Sequence, residues 1–113
     1  MKAVWYEQIG TADDVLRHGN IDDPEVSDGE VLVRIRASGV NPSDVKTRGG
    51  ARGELQFPRI IPHSDGAGKI EAVGDGVDKN RIGERVWLWN GAFARAFGTC
   101  AEYITLPADQ AVT

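Results

Sequence analysis

The stretch EVLVRIRA, Glu30 to Ala37, alternates between its two faces with a period of two residues. Val31, Val33 and Ile35 fall on one face, and two arginines fall on the opposite face. This period is typical of a β-strand that buries one side. The stretch therefore predicts the best-defined strand of the chain.

Shorter runs on both sides of this strand are also enriched in branched and aromatic residues, which favours strands. They are Met1 to Glu7, Gly68 to Val73, Arg85 to Trp89 and Cys100 to Leu106. Val15 to Arg17 is a candidate for a further short strand. Turn-forming combinations of Gly, Asp, Asn and Pro separate the runs at regular intervals, so we expect a mainly β fold of short antiparallel strands.

Composition narrows the classes of protein to which the chain can belong. Its 113 residues suit a single domain, and a net charge of -4 provides no basic surface for nucleic acid or an anionic membrane. The only cysteine, Cys100, excludes an internal disulfide and a four-cysteine zinc lobe. Because the start of the chain lacks a long apolar run, we expect a cytoplasmic protein that binds a small molecule or another protein.

The polar segment Ser38 to Gly50, SGVNPSDVKTRGG, follows the strand and contains the one stretch that predicts a helix, over Pro42 to Arg48. Proline is favoured at the first helical position, and Asn41 before it is a good N-cap. Asp44 lies in the first turn, where a carboxylate stabilises the positive helix end, and Gly49 can end the helix.

Two interpretations of this segment stay open. Asn41 and Asp44 could simply cap the helix, or they could face a ligand. Lys46 and Arg48 have no evident structural role on so short a helix and could be solvated side chains. The cluster is therefore a candidate ligand site whose asparagine and aspartate also have a structural explanation.

The glycine pairs at 66 and 68 and at 74 and 76 resemble the start of the dinucleotide fingerprint G-x-G-x-x-G. Both pairs lack the third glycine, since Glu71 and Lys79 occupy that position. Neither pair is predicted to open a helix, as phosphate binding requires. These glycines are better explained by tight turns and close strand approach.

A transition-metal site has little support in the sequence. His18, His63 and Cys100 are the only imidazole and thiol ligands, and no two of them are closely spaced. We therefore expect no bound metal.

Four motifs occur in order along the chain: GVNPSD, P-x-S-D-G-A-G-x-I-E-A-V-G-D-G-V, GERV and GTCAEY. They resemble the N-terminal domain of medium-chain dehydrogenase/reductases, specifically the zinc-free quinone oxidoreductase and zeta-crystallin branch. The resemblance implies that residues 1–113 form a GroES-like, partly open β-barrel with one or two short helices. It also implies that a Rossmann domain, absent from this chain, binds NADPH in a longer protein.

The resemblance also bears on zinc. Zinc-dependent relatives carry a cysteine where this chain has Asn41 and a histidine where it has Ser64. Where those relatives often hold a four-cysteine lobe, this chain continues through Trp87 to Asn90. The resemblance therefore implies an enzyme without zinc.

The same branch places an asparagine beside the nicotinamide end of NADPH, at the position of Asn41. Asp44 and Arg48 match residues common in the branch, whereas Lys46 replaces a tyrosine that contacts the cofactor. We expect cofactor contacts from Asn41, Asp44, Lys46 and Arg48. Asn41 and Lys46 are the expected catalytic residues, because each could stabilise negative charge on the acceptor oxygen.

These expectations combine into a hypothesis about the full-length protein. It would transfer hydride from NADPH to a quinone or an activated enone, without a metal and as a homodimer. The isolated chain would have no reductase activity and little affinity for NADPH.

Two alternatives remain at this point. One is a zinc-dependent alcohol dehydrogenase with a rearranged metal site that uses His63, Asp65 or Cys100. The other is a non-catalytic GroES-like binding or assembly module, since a fold alone does not specify a function.

Overall fold

The computed structural model describes all residues from Met1 to Thr113. A small antiparallel sheet pairs β1 (Lys2–Trp5) with β2 (Arg17–Asn20), and helix α1 (Ala12–Val15) lies between them in sequence. Helix α2 (Pro42–Arg48) follows the long strand that the sequence predicted. The expectation of a mainly β fold with one or two short helices is confirmed, although the sequence indicated only α2.

A five-stranded antiparallel sheet forms most of the molecule, with the strand order β6-β3-β4-β5-β7. Its strands are β3 (Glu30–Ser38), β4 (Gly66–Val73), β5 (Arg85–Leu88), β6 (Tyr103–Pro107) and β7 (Ala111–Val112). Register shifts within β3 mark irregularities that bend a strand. The sheet curls into a half-barrel.

The inner face of this sheet forms the hydrophobic core. Eight buried side chains make up its main cluster: Val31, Val33, Ile70, Val86, Leu88, Ile104, Leu106 and Ala111. Val33 lies opposite Ile70 on one neighbouring strand and opposite Ile104 on the other. The predicted buried face of β3 is therefore confirmed at Val31 and Val33.

The prediction of a strand over residues 15–17 was wrong. Val15 is the last residue of α1 and is buried, and the strand begins only at Arg17. Asp13 and Asp14 lie in the first turn of α1, where their charge favours the helix. The polar residues of β2 have low strand propensity, so its pairing with β1 determines its conformation.

The strand expected from Cys100 starts three residues later, at Tyr103. The preceding backbone pairs elsewhere, because the Cys100 N–H donates to the Pro62 carbonyl and the Glu102 N–H donates to the Lys2 carbonyl. The second of these bonds links β1 to the segment before β6.

The glycine pairs are structural, as predicted. Gly68 lies within β4, where an added Cβ would collide with the Arg34 carbonyl oxygen of the adjacent strand. Gly76 adopts a φ of 86° in the following turn. Neither pair opens a helix, and no helix in the structure has the length and apolar character needed to cross a bilayer.

The core makes a direct prediction about stability. Ile104 is 1% exposed, so Ile104→Ala should lower the free energy of unfolding by about 2–5 kcal/mol through lost burial and a residual cavity. Ile82, which is 50% exposed, provides a matched control. Ile82→Ala should change the free energy of unfolding by about 0.5 kcal/mol or less. Urea denaturation of both variants measures the difference, and equal losses would refute this description of the core.

Candidate functional site

Helix α2 begins with a reciprocal arrangement between Asn41 and Asp44. Asn41 has an extended backbone, and its N–H donates to Asp44 Oδ2 at 2.7 Å. Gly49 ends the helix, and its N–H donates to the Val45 carbonyl at 2.9 Å. The helix-capping interpretation of Asp44 is therefore confirmed, and the capping contact orients the start of α2.

The Asn41 side chain has a second, long-range partner. Its Nδ2 donates to Asp65 Oδ1 at 2.7 Å, which ties the start of α2 to the segment before β4. The Asp65 carbonyl oxygen accepts from the Gly39 N–H at 3.0 Å and from the Thr99 hydroxyl at 2.9 Å. Three separate segments of the chain therefore meet at Asp65.

A chain of hydrogen bonds continues from this point to His63. Ser38 Oγ lies 2.8 Å from His63 Nδ1 and 2.9 Å from the hydroxyl of Thr99, which is fully buried. His63 has a φ of 80°, in the left-handed region that non-glycine residues seldom adopt. The surrounding contacts hold this strained residue in place.

A cavity of about 630 Å³ lies beside α2. Its walls include Ser43, Asp44 and Thr47 of the helix, together with Tyr6 and Ser64. We call it the α2 cavity. Seven of its 18 lining residues are hydrophobic, and its volume lies in the usual range of sites for a small organic ligand.

A second depression, of about 660 Å³, crosses β1, β2 and the end of β3. It is shallower and more open, and none of the four predicted site residues lines it. The α2 cavity is therefore the better candidate site.

The structure brings together only part of the predicted site. Asp44 lines the α2 cavity, and Asn41 contacts Asp44 at the start of the helix. Arg48 lies outside the cavity wall, where its Nε donates to the Gly10 carbonyl at 3.4 Å. Lys46 is exposed and two residues from Asp44, so it faces a different side of the helix.

Tyr6 is a lining residue that the sequence analysis did not identify. It is 1% exposed and follows β1, in a run that predicted only a strand. Burial raises the pKa of the Tyr6 hydroxyl; Arg48 opposes this effect and Asp44 adds to it. No local sequence pattern marks a residue of this kind, because its position depends on a distant segment around Ile60.

The side chains considered for a rearranged metal site do not form one in the structure. The structure contains no group of three or more His, Cys, Asp or Glu side chains placed to hold a metal ion. His63 contacts Ser38, and Asp65 contacts Asn41. Burial raises the pKa of the Cys100 thiol, and the negative charge of Asp44 raises it further. A neutral thiol is a poor metal ligand.

Residues 27–113 match the family model of the alcohol dehydrogenase GroES-like domain. The chain belongs to this family. The expected GroES-like fold is therefore confirmed.

Among known proteins, this GroES-like domain is similar to human quinone oxidoreductase. The two are 34% identical over 112 residues, covering 99% of the chain and 32% of the relative. The synaptic vesicle membrane protein VAT-1 homolog of Rattus norvegicus is 34% identical over 87 residues, covering 77% of the chain and 20% of that protein. The chain thus spans a third or less of the length of these relatives.

Solved structures agree with this relationship. A mycobacterial protein in complex with NADPH superimposes with a TM-score of 0.85 at 28% identity, covering 100% of the chain and 33% of that protein. The quinone oxidoreductase from Coxiella burnetii superimposes with a TM-score of 0.85 at 26% identity. The match covers 100% of the chain and 36% of that protein. The predicted resemblance to the quinone oxidoreductase branch is confirmed.

The charge of Asp44 has a measurable consequence in this GroES-like domain. Asp44→Asn removes the charge but keeps an oxygen that can accept from the Asn41 N–H. Because Asp44 raises the pKa of Cys100, the variant should shift the alkylation of this thiol by iodoacetamide to lower pH. The measurement is the alkylation rate as a function of pH.

Asp75→Asn is the matched control, since Asp75 lies in the turn after β4, at the opposite end of that strand from the site. It should leave the alkylation profile unchanged. An unchanged profile in Asp44→Asn, or a shift to higher pH, would contradict the electrostatic coupling between Asp44 and Cys100.

Proposed function

We propose that this domain forms the substrate side of an NADPH-dependent oxidoreductase that transfers hydride to a quinone or an activated enone without a metal. One observation carries the proposal. The α2 cavity is lined by Asp44, which bonds to Asn41, and by Ser64, which precedes Asp65. Asn41 and Asp65 are hydrogen-bonded to each other, and the family resemblance implies that zinc-dependent relatives hold their metal at this position. Its similarity to human quinone oxidoreductase supports this class of substrate.

The side chains at the two zinc-ligand positions favour chemistry without zinc. Asn41 has a neutral amide that donates to Asp65, in place of a thiolate, which is a preferred ligand of zinc. Ser64 contributes a neutral hydroxyl to the cavity wall, in place of an imidazole. The hydrogen bond therefore joins the two segments that zinc would otherwise join.

NADPH, when bound, would supply the hydride. This chain has no element to hold its phosphates, since the glycine pairs lie in β4 and in a turn rather than before a helix. The residues that would contact the cofactor are those along α2, where its nicotinamide end would meet the substrate. The phosphates would be held by a second domain. The similarity to a mycobacterial protein solved in complex with NADPH supports the use of this cofactor.

Hydride transfer makes the acceptor oxygen negative, and donors aimed at that oxygen lower the barrier. One Nδ2 hydrogen of Asn41 is used by Asp65, which leaves the second available to a ligand. Lys46 is exposed and forms no salt bridge, so its long side chain could approach a ligand from outside the cavity. Asp44 would orient Asn41 through its backbone contact.

Arg48 would contribute indirectly. Its bond to the Gly10 carbonyl fixes the end of α2 against the loop that follows β1. A rigid helix keeps the substrate-facing groups in place, which is a recurring source of catalytic rate. The expected cofactor contact of Arg48 would then occur on the side of α2 that faces a second domain.

Asn41→Ala in the full-length protein tests the proposal. We expect NADPH-dependent reduction of a quinone to lose about 100-fold in kcat/KM, the order of effect seen when one donor to a developing oxyanion is removed. Steady-state kinetics and the Kd for NADPH are the measurements. Asn80→Ala is the matched control, because Asn80 is exposed in a 3-10 turn outside the α2 cavity.

Two outcomes would contradict the proposal. An unchanged kcat/KM and an unchanged NADPH affinity in Asn41→Ala would remove Asn41 from the site. Zinc present at one equivalent per chain, and lost together with activity on chelation, would refute the metal-free mechanism.

A further inference from the structure

Tyr6 is held rigidly at the edge of the α2 cavity. Its N–H donates to the Ile60 carbonyl, and its carbonyl accepts from the Ile60 N–H, both at 2.9 Å. The residue is 1% exposed, so neither its backbone nor its ring has freedom to reorient. The direction of the phenol is therefore set by the fold.

The hydroxyl of this buried residue has no partner within the protein. No hydrogen bond joins Tyr6 Oη to another side chain or to the backbone, although a buried tyrosine hydroxyl usually has a partner. No fully buried side-chain oxygen or nitrogen in the structure lacks a partner. Tyr6 Oη therefore retains contact with solvent, and the α2 cavity is the space that Tyr6 lines.

The hydroxyl can act as a donor under physiological conditions. Burial raises the pKa of Tyr6 above its ordinary value, so the phenol stays protonated at neutral pH. The charges of Arg48 and Asp44 act on that pKa in opposite directions. An unpaired, protonated hydroxyl in a cavity of mixed polar and apolar lining suits a ligand that carries a hydrogen-bond acceptor.

We propose that the Tyr6 hydroxyl donates a hydrogen bond to a carbonyl oxygen of the acceptor bound in the α2 cavity. The class of acceptor, a quinone or an enone, rests on the proposed function. Tyr6 would then fix the orientation of the acceptor from the side of β1, while Asn41 acts from the start of α2. The two donors belong to different segments, so their effects can be separated by mutation.

Tyr6→Phe in the full-length protein tests this role. The variant removes one oxygen that has no protein partner, so the Tm should not fall. We expect kcat/KM for the quinone to drop about tenfold, the value of one lost hydrogen bond, with the Kd for NADPH unchanged. Tyr103→Phe is the matched control, because Tyr103 lies on β6 outside the cavity and should show no loss.

Equilibrium binding of duroquinone, a fully substituted quinone, without NADPH separates this inference from the proposed function. If the wild-type protein reduces no quinone, the proposed function fails. The inference about Tyr6 is still supported in that case if Tyr6→Phe binds duroquinone more weakly than both the wild type and Tyr103→Phe do. Equal binding by Tyr6→Phe and wild type would overturn the inference, as would no binding to wild type. A lowered Tm in Tyr6→Phe would also overturn it, because the hydroxyl would then have a structural partner.

Discussion

Strand β3 is hydrogen-bonded along both edges, and the position of the site depends on this double pairing. Val33 lies between Ile70 of β4 and Ile104 of β6, so the core fixes the register of β3 from two sides. The strand ends at Ser38, whose hydroxyl contacts both His63 and Thr99. A change of register would reverse the buried face and would also displace the turn that leads into α2.

Hydrogen bonds link the segments of the candidate site to one another. The Asn41 side chain donates to Asp65, 24 residues away in sequence. The Asp65 carbonyl oxygen accepts from the Gly39 N–H and from the Thr99 hydroxyl. A metal ion could link the same segments in a related enzyme, but it would demand other side chains. The amide also keeps a free N–H, so it can both support the structure and face a ligand.

Local patterns account for the parts of this structure that the sequence predicted. The period of two residues marked β3, and an asparagine followed by proline marked the start of α2 at Pro42. The error at residues 15–17 arose where short, polar segments take their conformation from a distant partner strand. The contact of Asn41 with Asp65 and the unpaired state of the Tyr6 hydroxyl likewise depend on tertiary structure. No local pattern in the sequence predicts them.

A crystal structure of the full-length protein with NADPH and duroquinone tests the central claim most directly. The account predicts that the nicotinamide ring and the quinone lie in the α2 cavity, with the quinone oxygens within hydrogen-bonding distance of Asn41 Nδ2 and Tyr6 Oη. A nicotinamide ring bound away from α2 would contradict the account. So would a metal ion coordinated between the segments of Asn41 and Ser64.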